Sequence, residues 1–81
     1  MEVIKDNKNI FLKLSSNEAL VLLEWLTKFN QKEHPLLFED QAEERILFDI
    51  ESSLEKIVSE TFEGNYFENL SRARQEIRDK E

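Results

Sequence analysis

The chain has 81 residues, of which 40% are hydrophobic, and its 18 acidic and 11 basic side chains give a formal net charge of −7. This length suffices for a single domain, residues 1–81, with a thin core. The acidic balance argues against direct nucleic-acid binding, because that affinity comes mainly from Lys and Arg neutralising phosphates, and against adsorption to an anionic membrane. The absence of cysteine excludes disulfides and thiolate chemistry, and the single glycine excludes a glycine-rich phosphate loop.

The compartment is predicted from the lack of long apolar runs. No segment reaches the roughly 18 consecutive apolar residues of a membrane-spanning helix. The first six residues, Met1 to Asp6, lack the basic and then apolar pattern of a signal peptide. We therefore expect a cytoplasmic protein without membrane association.

The first 14 residues predict a short β-hairpin. Apolar residues rich in β-branched types lie on both sides of the polar cluster at residues 6–9, an arrangement typical of two strands joined by a turn. The turn lacks the Asn-Gly or Asp-Gly pair that favours a tight hairpin. The second strand would place Ile10, Leu12 and Leu14 on one face and Phe11 and Lys13 on the other.

A first helix is predicted over residues 16–30. Ser15 and Glu18 have the spacing of a capping box, in which each side chain accepts the other residue's backbone N–H. The helix is apolar nearly all round, which implies contact on two sides, either inside the domain or across a subunit interface. Leu20 and Trp25 are the surplus apolar residues and hence the candidate dimer interface.

A second helix is predicted over residues 39–62, after a loop that contains His34 and Pro35. Asp40 and Glu43 suggest another capping box at its start. We expect this helix to organise the fold, since it carries the clearest apolar stripe in the chain: Ala42, Ile46, Leu47, Ile50, Leu54, Ile57, Val58 and Thr61.

A third helix is predicted over residues 65–79. It follows Gly64, which suits the left-handed conformation common at the end of a helix. Tyr66, Leu70, Ala73 and Ile77 share one of its faces. The predicted fold is therefore mainly α, with a short N-terminal β-hairpin followed by three helices.

The sequence offers little for catalysis. His34 is the only histidine, and we expect it to be a solvent-exposed loop residue ahead of Pro35. No serine lies in a glycine-flanked elbow. The carboxylates of Glu39, Asp40, Glu43 and Glu44 are spaced at i,i+4, but the Glu-x-x-His motifs of di-iron bundles and the calcium-loop pattern are missing. We expect no catalytic, cofactor-binding or metal-binding residue, no cofactor and no enzymatic activity. A small carboxylate-dependent enzyme is the lowest-ranked alternative.

An acidic band on the second helix is the best candidate for partner binding. Residues 36–64 contain nine acidic and two basic side chains, so they account for the whole net charge. Phe48 lies on the polar side of the helix among Glu44, Glu51 and Glu55. Unless a loop or the hairpin covers it, this aromatic side chain ringed by carboxylates suits the basic surface of another protein, since aromatic residues supply burial and charges supply steering.

Three segments carry a resemblance to a known group. They are Asn17 to Leu26, Asp40 to Leu47, and Asn65-Tyr66 together with Ala73-Arg74. In these segments the chain resembles a group of short, functionally uncharacterised bacterial helical proteins. The resemblance spans most of the chain and implies no activity, cofactor or site residue.

Two binding functions remain open at this point. The first is a non-enzymatic protein-interaction module that self-associates as a homodimer. The alternative is an acidic inhibitor, such as an immunity protein, antitoxin or phage-encoded antagonist, that blocks a basic site on a target protein. Small size, acidity and the lack of catalytic groups suit both functions.

Overall fold

The computed structural model describes residues 1–62 and 64–79. It begins with an antiparallel hairpin and continues with three helices, which confirms the predicted mainly α fold. The elements are β1 (Glu2–Lys5), β2 (Ile10–Lys13), α1 (Ser16–Asn30), α2 (Gln41–Thr61) and α3 (Tyr66–Arg78).

The hairpin turn is held by an aspartate in place of a glycine. The Oδ1 atom of Asp6 accepts the backbone N–H of Asn9 at 2.9 Å and that of Lys8 at 3.1 Å. These two hydrogen bonds, that of Asn9 first, lower the pKa of the Asp6 carboxyl, because they favour its charged form. The turn aligns the strands so that Val3 lies opposite Leu12.

The start of α1 has the predicted capping box. Ser15 Oγ accepts the N–H of Glu18 at 3.1 Å, and Glu18 Oε1 accepts the N–H of Ser15 at 2.8 Å. The other carboxylate oxygen of Glu18 lies 3.6 Å from the α-amino group of Met1. The cap of α1 therefore also ties down the start of the hairpin.

The start of α2 differs from the prediction. Asp40 caps the helix by accepting the N–H of Ala42 at 2.7 Å, but the Glu43 carboxylate accepts the N–H of Glu39 at 2.8 Å and so misses the cap residue. Because Asp40 is the cap, the helix begins at Gln41. Beyond the far end of the helix, Gly64 has the expected left-handed conformation, with φ +88°.

The core is built around α1. Both α2 and α3 pack against α1, whereas no Cα atom of α2 lies within 8 Å of α3. The expectation that the second helix organises the fold is therefore wrong. Two neighbours within the same chain explain why α1 is apolar nearly all round. The buried apolar residues are Ala19, Leu20, Leu23, Leu26, Val58, Leu70 and Ala73.

Polar side chains connect α1 to α3. Tyr66 Oη donates to Glu24 Oε2 at 2.8 Å, and the Asn17 side chain donates to Glu76, so two hydrogen bonds join α1 to α3. Partial burial of the phenol and, next, its hydrogen bond to the Glu24 carboxylate together raise the pKa of Tyr66 to about 12. This phenol therefore holds its proton more tightly in the folded chain than in the unfolded one.

Truncating Leu20 should destabilise the whole fold. We expect Leu20→Ala to lower the free energy of unfolding by about 2–5 kcal/mol, because it opens a cavity between α1 and its neighbours. Urea denaturation followed by circular dichroism measures this loss. Leu36→Ala, at an almost wholly exposed loop position, is the control and should change stability by less than about 0.5 kcal/mol. Equal losses in the two variants would contradict the assigned core.

The titration of Tyr66 should report the α1–α3 contact. Tyr66 is the only tyrosine, so ultraviolet absorbance of the phenolate should show ionisation near pH 12, against 10.0 for an unperturbed tyrosine. The contact's pH-dependent stabilisation is fully present below pH 10.0 and is lost as the pH rises through about 12. Glu24→Gln should lower the pKa of Tyr66 only part of the way, since burial remains, while Glu55→Gln should leave it unchanged. An unshifted pKa in the wild type would refute the contact.

Candidate interaction surfaces

The acidic band of α2 is accessible at its centre. The Phe48 side chain is 41% exposed, so neither the hairpin nor a loop covers it. An open hollow of about 590 Å³ lies beside the ring, lined by Asp40, Gln41, Ala42, Glu44, Arg45 and Phe48. The aromatic ring can therefore contact another molecule without any rearrangement of the fold.

The three glutamates of the acidic band differ in their surroundings. Glu51 is half-buried, and its Oε1 atom accepts a hydrogen bond from Asn30 Nδ2 at 2.7 Å, so it contributes to the α1–α2 contact. Glu44 and Glu55 are exposed, and their carboxylates form no ion pair or hydrogen bond with another described residue. The negative charge available beside Phe48 therefore comes mainly from Glu44 and Glu55.

The two candidate dimer-interface residues differ in burial. Leu20 is 0% exposed and belongs to the core cluster that joins α1 to α2 and α3. Its assignment to a dimer interface is therefore wrong, because the surplus apolar surface of α1 is already covered within the chain. Trp25 lies on the opposite side of α1 and is 56% exposed, so an interface role for it stays a prediction.

An aromatic stack at the end of α1 was not anticipated. The Phe29 ring lies between Trp25, at 4.9 Å, and His34, at 3.8 Å, both stacked, and the Phe38 ring meets Phe29 edge-on at 6.0 Å. His34 Nε2 lies 2.7 Å from the Phe29 carbonyl oxygen. The half-buried His34 thus fixes the loop to α1 and is not the solvent-exposed residue that was expected. Aromatic residues spaced at i,i+4 were the available signal.

Part of the predicted apolar stripe on α2 faces away from the core. Val58 is buried, and Leu47 and Leu54 are half-buried, but Ile46 and Ile57 are 57% and 59% exposed. At about 100° per residue, the exposed side lies roughly 90° around α2 from the side that contacts α1. We call this surface, composed of Ile46, Ile50 and Ile57, the isoleucine face. It borders an open hollow of about 340 Å³.

The apolar residues of the hairpin strands are not packed against the helices of the described chain. Every residue of both strands is exposed, and no Cα atom of either strand lies within 8 Å of a helix. The strand register places Val3, Ile10 and Leu12 on one face with Lys5. Ile4 and Phe11 share the other face with Glu2 and Lys13. Both faces therefore expose large apolar side chains to solvent.

The carboxylates before and at the start of α2 do not converge on a point. Asp40 and Glu43 accept backbone N–H groups there. Throughout residues 1–62 and 64–79, no group of three or more His, Cys, Asp or Glu side chains is arranged to hold a metal ion. No helix in that part of the chain is long and apolar enough to cross a membrane.

Comparisons with protein-family models, with curated proteins and with solved structures gave no match to this chain. The resemblance to short bacterial helical proteins therefore stays a prediction.

Proposed function

We propose that the protein is a cytoplasmic, non-enzymatic interaction module that self-associates as a homodimer. The observation that carries this proposal is its excess of exposed apolar surface. The accessible surface is 7011 Å², whereas a folded monomer of 9.7 kDa should expose about 5,100 Å². Sixteen large apolar residues of the described chain are exposed, whereas its buried apolar residues are five large ones and two alanines. Association would remove part of this surface from water.

Five of these sixteen exposed residues lie in the strands of the hairpin. The radius of gyration is 14.3 Å, compared with about 11.7 Å for a compact domain of this length. A two-stranded hairpin without a packing partner is only marginally stable in water. A protein surface that covers the hairpin would stabilise it, and a second copy of the chain is a partner that is always present.

Self-association should be measurable in purified protein. We expect sedimentation equilibrium to give about twice the chain mass of 9.7 kDa at micromolar concentration, with dissociation on dilution. Trp25→Glu tests the predicted α1 contribution in the same experiment: a shift toward monomer would place the indole in the interface, and an unchanged dimer would place it outside. A monomer at all accessible concentrations would refute the proposed self-association.

A second function, acidic inhibition of a basic partner, is favoured by the surroundings of Phe48. The ring is exposed beside an open hollow, and the carboxylates of Glu44 and Glu55 are unpaired among the described residues. An uncovered aromatic side chain can serve as the buried anchor of an interface, while flanking charges accelerate encounter with an oppositely charged surface. This function requires a partner with a basic site.

Charge reversal on the acidic band tests this second function. The tagged wild-type chain should retain a basic protein from cell extract, and Glu44→Lys/Glu55→Lys should lose it, because attraction at this site becomes repulsion. Raising the salt concentration should also weaken binding. Glu68→Lys, which makes a similar charge change at an exposed position on α3, should still bind. Retention that is insensitive both to salt and to the band variant would rule out the acidic band as the binding site.

A further inference from the structure

We propose that in the homodimer the hairpin of each copy docks on the isoleucine face of the other copy. This inference rests on the proposed self-association and specifies the surfaces that form it. The hairpin presents Val3, Ile10 and Leu12, and α2 presents the three isoleucines. Each surface is exposed in the single chain. Because apolar surface in contact with water is unfavourable, burying the two surfaces against each other would stabilise the dimer.

The dimensions of the two surfaces match. The isoleucine face runs from Ile46 to Ile57, eleven residues along α2, which corresponds to about 16 Å at the helical rise. A four-residue strand such as β2 is about 13 Å long. The apolar face of one hairpin can therefore cover most of the isoleucine face, as a sheet covers a helix in two-layer folds.

The charges of the two surfaces are complementary. Residues 1–14 contain three lysines and two acidic residues, whereas α2 contains six acidic and two basic residues. At about 100° per residue, Glu43 lies on one side of the isoleucine face, with Asp49 and Glu60 on the other. Arg45, which is ion-paired with Asp49, and Lys56 lie on that second side too, so the border of the face carries three acidic and two basic side chains. Lys5 lies on the apolar face of the hairpin, and its ammonium group can reach the carboxylates that border the isoleucines. Opposite charges around an apolar contact favour this pairing and disfavour contact between two acidic helices.

A second copy is the appropriate occupant because the same chain holds the two surfaces apart. Only Leu14 and Ser15 separate β2 from α1. Leu14 packs against the core, and the α-amino group of Met1 lies 3.6 Å from Glu18. These contacts fix both ends of the hairpin at the start of α1, and no strand Cα atom lies within 8 Å of α2.

A two-fold dimer would use each surface twice. One copy's hairpin covers the other's helix and the reverse, so the association closes without exposing new sites for further copies. The surface of each chain exceeds that expected for a compact monomer by about 1,900 Å², more than the roughly 800 Å² that each partner buries in a standard interface. The available surface is therefore sufficient for a stable dimer.

Charge reversal on the two docking surfaces tests whether each hairpin contacts the other copy's isoleucine face. The hairpin variant is Lys5→Glu, on the face that docks, and the α2 variant is Asp49→Lys/Glu60→Lys. Each variant alone should dimerise at least about tenfold more weakly than wild type, because its hairpin and its α2 carry like charges. In an equimolar mixture, both contacts of the heterodimer become complementary again. We expect native mass spectrometry to find mainly the heterodimer, with affinity restored to within a few-fold of wild type.

Substitutions on the isoleucine face test the same docking independently, through their effect on dimerisation. Ile46→Glu/Ile57→Glu should abolish the dimer, since it places carboxylates where the partner's hairpin docks. The matched control is Phe67→Glu, at an exposed aromatic position on α3, which should leave dimerisation unchanged. Circular dichroism checks that both variants keep their helices.

The outcomes separate the inference from the proposed function. A wild-type chain that stays monomeric refutes self-association. A wild-type dimer that the isoleucine and charge variants do not weaken, or whose charge variants fail to rescue each other, overturns only the docking of the hairpin on the isoleucine face.

Discussion

The packing of α1 between α2 and α3 is the contact on which the rest of the structure depends. Leu20 and Leu23 belong to a buried cluster that also contains Val58 from α2 and Leu70 from α3. Since the backbones of α2 and α3 do not approach each other, a defect in α1 would remove the helix that holds both. The capping box and the aromatic stack at the two ends of α1 fix the helix in length and position.

The same contact determines which parts of α2 remain accessible. Packing against α1 uses the side of α2 that carries Leu54 and Val58, and the hydrogen bond from Asn30 adds Glu51 to that contact. The two remaining sides differ in chemistry: the isoleucine face is apolar, and the acidic band surrounds Phe48. Because α2 packs against α1 and against no other described helix, its remaining sides are free to serve interactions with other molecules.

Local signals made most of the fold predictable, whereas the site required tertiary information. The cap at Ser15, the glycine at position 64 and the hydrophobic periodicity are local, and they placed every helix to within two residues of its ends. Whether Leu20 and Ile57 are buried does not follow from the local sequence. Both are large aliphatic residues on apolar helices, and only the position of the neighbouring helices decides that one is buried and the other exposed.

The arrangement of α2 also bears on how the two proposed functions relate. The isoleucine face and the exposed part of the acidic band lie roughly 150° apart around the helix, on either side of the α1 contact. A dimer formed through the isoleucine face would therefore leave Phe48, Glu44 and Glu55 accessible on both copies. Two bands in one assembly would bind a partner with two basic sites more tightly than a single band, provided that their spacing allows simultaneous contact. Self-association and inhibition of a basic partner are thus compatible, and dimerisation would strengthen the second function without any change to the band itself.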